Sequence, residues 1–274
     1  MSTHDGKQQE MAGGRKVQRF SYGPEALHFG ELHLPGGAGQ FPTVILIHGG
    51  FWRTPYDYTL MTGLARDLAA RGIAAWNIEY RRVGDIGGGW PNTFFDAAHA
   101  ASFLLQLPQV DQQHIVAIGH SAGGHLALWL AGYARLAGKQ LAERVQFDAP
   151  TTPLAGVISL AGVNDLEMSW RLGLGKSAAT ELLGGGFDEV PQRYAIASPA
   201  ALLPLHVPQV MIHGTADDRV PFQVSLAYTQ AAQAAGDQAT LIELPGVDHF
   251  ALIDPTSAAW AKTVDALEKL LARD

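Results

Sequence analysis

A chain of 274 residues, 47% of them hydrophobic and 16% charged, carries enough apolar sequence for one sizeable core. Its formal net charge of −7 speaks against nucleic acid or an anionic membrane as a partner, because both demand a basic surface. Cysteine is absent, which excludes disulfides, a thiolate nucleophile and cysteine-ligated zinc and fits a cytoplasmic protein.

Residues 1–16 are polar and lack the apolar stretch of a signal peptide, so a flexible extension with neither leader nor membrane anchor is expected there. Residues 17–22 and 27–34 read as an antiparallel pair turning through Gly23-Pro24. Thr43-Val44-Ile45-Leu46-Ile47 is an uninterrupted apolar, β-branched run of the kind buried on both faces of a sheet, and it ends in His48-Gly49-Gly50-Phe51-Trp52. Glycines let backbone N–H groups come close to an oxygen that turns negative in a transition state. The N–H groups of Gly50 and Phe51 are therefore candidate oxyanion donors. His48 precedes the nucleophile in the chain and is read as a hydrogen-bonding support of this loop.

Past Tyr56, helical and strand patterns alternate: a helix over 58–70, a strand over 73–78, a helix over 92–107 and a strand over 115–118. Alternation of this type predicts an α/β fold, a mostly parallel sheet with helices on both faces. Gly119-His120-Ser121-Ala122-Gly123 then places a serine between two glycines, directly after a strand and before an apolar helix running to about residue 136. This is the context a nucleophile elbow requires, with Ser121 as nucleophile and the Ala122 N–H as a third oxyanion donor.

After a strand over 156–160, the pattern lapses, and residues 164–203 are expected to form a small cap, ordinary connecting helices being the alternative. Strands over 210–213 and 240–244 lead into Asp217 and His249, and an amphipathic helix over 257–271 closes the chain. Both polar residues sit just past strand ends, where α/β sheets place their chemistry. In the order Ser121, Asp217, His249, the imidazole takes the serine proton and the carboxylate holds its tautomer. Asp218 competes with Asp217 but reads as a cap for a helix starting near Pro221, and Asp165 is a third candidate acid.

Phe51, Trp52, Trp90 and Trp170 are candidate walls of a flat apolar substrate pocket, core packing being the alternative. Arg81 and Arg82 either bind a substrate carboxylate or serve as ion-pair partners. The remaining histidines show no metal-ligand spacing, so no metal is expected. One domain over 17–274 is the expected organisation.

From about Val17 onward the chain resembles the α/β-hydrolases, whose HG-x-x-D-x-x-V-P pattern sets the acid at Asp217. The pairing of His48-Gly49-Gly50-Phe51-Trp52 with Gly119-His120-Ser121-Ala122-Gly123-Gly124, together with Asp248-His249-Phe250, resembles the kynurenine formamidase and small carboxylesterase branch. The resemblance implies an α/β-hydrolase fold with no cofactor. It also implies acyl-enzyme hydrolysis of small acyl esters, or alternatively of aryl formamides of the N-formylkynurenine type. A ligand-binding protein on the same fold, without turnover, is the contrary reading, and the intact triad order favours the enzyme.

Overall fold

The structure is a computed structural model and describes residues 8–10, 15–138 and 145–272. Its strands are β1 (Gln8–Glu10), β2 (Lys16–Ser21), β3 (Phe29–Leu34), β4 (Phe41–Ile47), β5 (Ala74–Ile78), β6 (Val110–His120), β7 (Gly156–Leu160), β8 (Gln209–Gly214) and β9 (Ala239–Leu244). They form one sheet in the order β1-β2-β3-β5-β4-β6-β7-β8-β9. Pairing is antiparallel from β1 through β3 to β5 and parallel from β5 to β9. The helices are α1 (Thr62–Ala70), α2 (Asn92–Phe103), α3 (Ala122–Gly132), α4 (Leu166–Arg171), α5 (Leu174–Leu183), α6 (Pro191–Ala197), α7 (Phe222–Ala234) and α8 (Ala258–Leu271).

The apolar runs of the central strands follow from burial on both faces. Because successive side chains point to opposite sides, Ile45, Ile47, Trp76 and Ala117 enter one core with α2, α3 and α7. Val44, Leu46, Ala75 and Val116 enter the other with α1 and α8. Each fully buried Leu, Ile or Val adds roughly 1.5–3 kcal/mol of apolar transfer. Helix α3 is buried along its whole length, so its sequence shows no polar stripe. Helix α8 has one buried stripe, and Ser257 caps it by accepting from the Trp260 N–H.

The chain crosses from β4 to β5 on one side of β4 and later lays β6 on its other side, with Ile47 opposite Gly119. The carboxyl ends of β4 and β6 thus meet at a switch point, where open α/β sheets hold their ligands. Gln8–Glu10, inside the expected extension, instead adds a short edge strand to β2 through backbone hydrogen bonding; the rest of 1–14 lies outside the described residues. The helix expected over 58–70 is divided into a 3-10 turn over Tyr58–Met61, capped by Asp57, and α1. Residues 164–203 hold the short helices α4, α5 and α6. No helix among the described residues is long and apolar enough to cross a membrane.

Candidate active site

Strand β6 runs straight into the elbow, and Ser121 sits at φ 56°, ψ −119°, a conformation that costs a non-glycine residue about 1–3 kcal/mol. The flanking glycines are required by contact. A β-carbon on Gly123 would lie 2.1 Å from the Ile47 carbonyl oxygen, and one on Gly119 would lie 1.9 Å from that of Gly123. The elbow is held from the next strand, the Ser121 N–H donating to Leu160 O at 2.8 Å. Ala122 opens α3, so its N–H belongs to the first helical turn, whose donors have no intrahelical acceptor.

The loop after β4 lies against this turn. Gly49 packs so closely that a β-carbon would come within 2.8 Å of His120 O. Gly50, Phe51 and Trp52 all take positive φ, at 111°, 52° and 54°. His48 anchors the loop through its ring: Nδ1 lies 2.8 Å from Gly49 O and Nε2 lies 3.0 Å from Glu79 Oε1. Tyr80 stacks on that ring at 4.3 Å and donates its hydroxyl to His48 O at 2.9 Å. The sequence reading of His48 as a support matches this geometry. Among the described residues, the N–H groups of Gly50 and Phe51 donate to no protein acceptor.

Strands β8 and β9 end side by side, Gly214 opposite Leu244. Their loops bring His249 Nδ1 to 2.6 Å from Asp217 Oδ2. Facing a carboxylate, Nδ1 carries the proton and leaves Nε2 free to accept one. The other carboxylate oxygen, Oδ1, accepts the N–H groups of Arg219 and Val220, both at 2.8 Å. His213 Nε2 reaches Oδ2 at 3.3 Å and Val220 O at 2.9 Å, while His213 Nδ1 meets Ser225 Oγ at 2.8 Å. Ser225 in turn accepts from Asn164 at 3.4 Å, and Asn164 accepts from Ser159 at 2.8 Å, so a buried polar chain backs the acid. Burial would raise the Asp217 carboxyl, but hydrogen bonds from His213 and His249, the charge of His249 and the Val220 N–H hold it well below the usual carboxylate range.

His120 ties the elbow to the histidine loop, its Nε2 donating to His249 O at 3.0 Å with the rings 4.4 Å apart. Burial, followed by the charge of His249, pushes His120 down to about 3, so it stays neutral and keeps this bond. Ser121 and His249 border one cavity of about 140 Å³, walled further by Gly50, Phe51, Tyr56, Leu60, His120, Arg219 and Phe250. No hydrogen bond joins Ser121 Oγ to His249 among the described residues; in ligand-free sites this bond commonly tightens only with substrate.

Several sequence expectations land elsewhere. Trp52 is fully buried, edge-on to His125, because the left-handed backbone at Phe51 and Trp52 turns one ring to the cavity and the next into the core. Trp90 packs on Phe94 and Phe147, and Trp170 packs on Phe187; neither lines the cavity. Asp218 does not cap α7, whose N-terminal boundary is Pro221; it is exposed and pairs with Arg219 at 3.2 Å. Asp165 caps α4 by accepting from the Met168 N–H at 3.1 Å. Arg81 is bound to Asp96 at 2.6 Å and Arg82 to Asp85 at 3.0 Å, so both are structural ion-pair partners. The wall residues Tyr56, Leu60 and Arg219 were not singled out in the sequence, since residues that converge from separate loops and turns leave no periodic signal; Phe250 entered only as the neighbour of His249, and His213, on β8, carries no sign in the sequence that its ring reaches a carboxylate. No cluster of metal ligands occurs among the described residues.

The sheet topology, a family match and several relatives together place the chain among the α/β-hydrolases. The BD-FAE family model matches residues 31–231, and the chain belongs to that family. Isoprenylcysteine alpha-carbonyl methylesterase ICME of Arabidopsis thaliana is 27% identical over 250 residues, 86% of this chain and 57% of its own length. Dipeptidyl-peptidase 5 of Porphyromonas gingivalis is 27% identical over 230 residues, 78% of this chain and 31% of its own length. The chain thus spans less than two thirds of these relatives. A truncated carbohydrate esterase from gut microbiota superposes with a TM-score of 0.80 at 19% identity, covering 96% of this chain and 99% of the other. The propionate-bound esterase Est2 of Thermogutta terrifontis superposes at 0.73 with 22% identity, covering 96% and 95%. At these identities the likeness is one of fold.

Proposed function

We propose that this protein is a serine hydrolase of small carboxylic esters, acting through an acyl-enzyme on Ser121. The observation that carries the reading is the 2.6 Å contact of His249 Nδ1 with a deeply stabilised Asp217 carboxylate, beside a strained serine in the same cavity. His249 Nε2 accepts the Ser121 hydroxyl proton as Oγ attacks the ester carbonyl. The carbonyl oxygen becomes negative and is met by the N–H groups of Gly50, Phe51 and Ala122, a role supported by the absence of a protein acceptor for the first two among the described residues and by the His48 contacts that hold their loop. His249 then passes the proton to the leaving alkoxide, and an alcohol departs. Water, deprotonated by the same imidazole, attacks the acyl-enzyme; collapse releases the acid and restores Ser121. Asp217 keeps the imidazole in the Nδ1–H tautomer and stabilises its cation, without taking the proton.

The cavity of about 140 Å³ is small beside the roughly 300–1,000 Å³ pockets of larger ligands, which favours a small group next to Ser121. Esterase names among the relatives and neighbours support the ester class, and the carbohydrate esterase adds acylated sugars to the substrates worth testing. Initial rates on acetyl, butyryl and feruloyl esters, acetylated sugars and N-formylkynurenine test the proposal. Ester turnover abolished in Ser121→Ala is the expected result. Formamide turnover far above every ester would replace the esterase by a formamidase, and no turnover of any substrate would leave a binding protein.

A further inference from the structure

We propose that the turn Gly173–Ser177 sets the size of the substrate group admitted beside Ser121, by fixing the Phe51 ring at the wall of the cavity. The inference rests on the esterase reading above and specifies its substrates as esters of short chains.

The turn forms the kinked start of α5, where the right-handed helix is not yet established: Gly173, Gly175, Lys176 and Ser177 are left-handed, with φ of 61°, 56°, 55° and 65°. Left-handed conformations at non-glycine residues such as Lys176 and Ser177 cost about 1–3 kcal/mol each and persist only where the surroundings impose them. Here the surroundings are Arg53. Its guanidinium donates to Gly175 O at 2.6 Å and Lys176 O at 3.2 Å and pairs with Glu181 on α5 at 2.6 Å. Three separate bonds from one planar fork define the path of the turn.

Arg53 stands two residues after Phe51, so the loop that offers the oxyanion donors also clamps the turn. The two are in direct contact. A β-carbon on Gly175 would fall 2.5 Å from Phe51 Cδ1, closer than any real contact, so glycine is the one residue that lets the turn lie against the ring. Phe51 at the same time borders the cavity of Ser121 and His249. The ring cannot retreat toward the turn, and a longer acyl or alkoxy chain meets a backed wall. A rigid apolar wall discriminates by about 10–200-fold per methylene.

Two variants move the wall in opposite directions. Gly175→Ala places a β-carbon where the ring lies and drives Phe51 toward the cavity; Arg53→Gln releases the turn and lets the ring fall back. Rates on the p-nitrophenyl acetate, butyrate, hexanoate and octanoate series give kcat/KM against chain length, and the ratio of hexanoate to acetate cancels general damage. That ratio should fall about tenfold in Gly175→Ala and rise about tenfold in Arg53→Gln. An unchanged ratio in both variants, each still folded by its melting curve, overturns the proposal, and either variant alone decides it if the other fails to fold. Wild-type protein that hydrolyses none of the series fails the esterase reading itself. Wild-type turnover with an unmoved cut-off fails only the wall.

Discussion

Ser121 sits on the β6–α3 turn between two glycines that admit no β-carbon, with its own side chain bordering the cavity, and alanine keeps the β-carbon that serine already has, so its removal can be tested cleanly. Ser121→Ala should lower kcat by at least ~10³-fold with an unchanged melting temperature, and a variant keeping a tenth of the wild-type rate removes Ser121 from the mechanism. The two neighbouring aspartates differ in direction rather than in charge. Asp217 accepts from His249, His213 and two backbone N–H groups, whereas Asp218 pairs with Arg219 in solvent. Asp217→Asn should cut kcat by ~10²–10⁴-fold, and Asp218→Asn should leave kcat within about twofold and stability within about 0.5 kcal/mol. Equal effects of the two substitutions on kcat would contradict the geometry. The sequence reading chose Asp217 over Asp218 from the HG-x-x-D pattern that starts at His213-Gly214, and in the structure the Asp217 carboxylate is the one that faces His249. It missed the role of His213 itself, because a histidine at a strand end looks the same whether or not its ring reaches a carboxylate.

At the scale of elements, the site depends on close approach between backbone segments. Gly119 and Gly123 allow β4, β6 and α3 to touch, and a methyl group at position 123 would have to push back a carbonyl at the end of β4. Gly123→Ala should therefore cost about 3 kcal/mol or more and depress activity with it. Gly37→Ala, at φ 102° but in open space, should cost only about 1 kcal/mol. Urea midpoints of the two variants read the difference, and similar losses would mean the elbow relaxes easily. These elements were legible beforehand because each carries a strong local signal: apolar runs for β4, β6, β7 and β8, paired glycines for the elbow, a stripe for α8. The cavity wall was legible only at Phe51, the residue that follows the oxyanion turn. Tyr56, Leu60, Arg219 and Phe250 come from four separate loop or turn segments, and of the three tryptophans placed near the site by their positions in the chain, Trp52 is fully buried and Trp90 and Trp170 pack partly buried against other rings.

Over the whole molecule, the parallel half of the sheet carries the candidate site, and the antiparallel strands β2 and β3 extend its edge. Glu31 on β3 lies 3.6 Å from His33 Nε2 and 2.7 Å from Arg19 Nη2. His33 first, then Arg19, outweigh burial and lower its carboxyl from 4.5 to about 2. A carboxyl depressed by folding binds fewer protons in the native state, so its stabilisation is complete above its unfolded value and is lost as pH falls through the folded one. Glu31→Gln should thus reduce stability at pH 7 by an amount on the order of 1 kcal/mol, the gap to wild type closing as pH drops from about 4.5 toward 2. A gap independent of pH in urea melts would show that Glu31 acts through packing alone.

The central claim is that Ser121, and no other residue, becomes covalently acylated during turnover. Intact-protein and peptide mass spectrometry after reaction with a serine-directed phosphonate tests this most directly. One adduct per chain, located on Ser121 and growing in step with the loss of ester hydrolysis, is the expected result; hydrolysis that persists while Ser121 is fully labelled, or an inactivating adduct on any other residue, would contradict it.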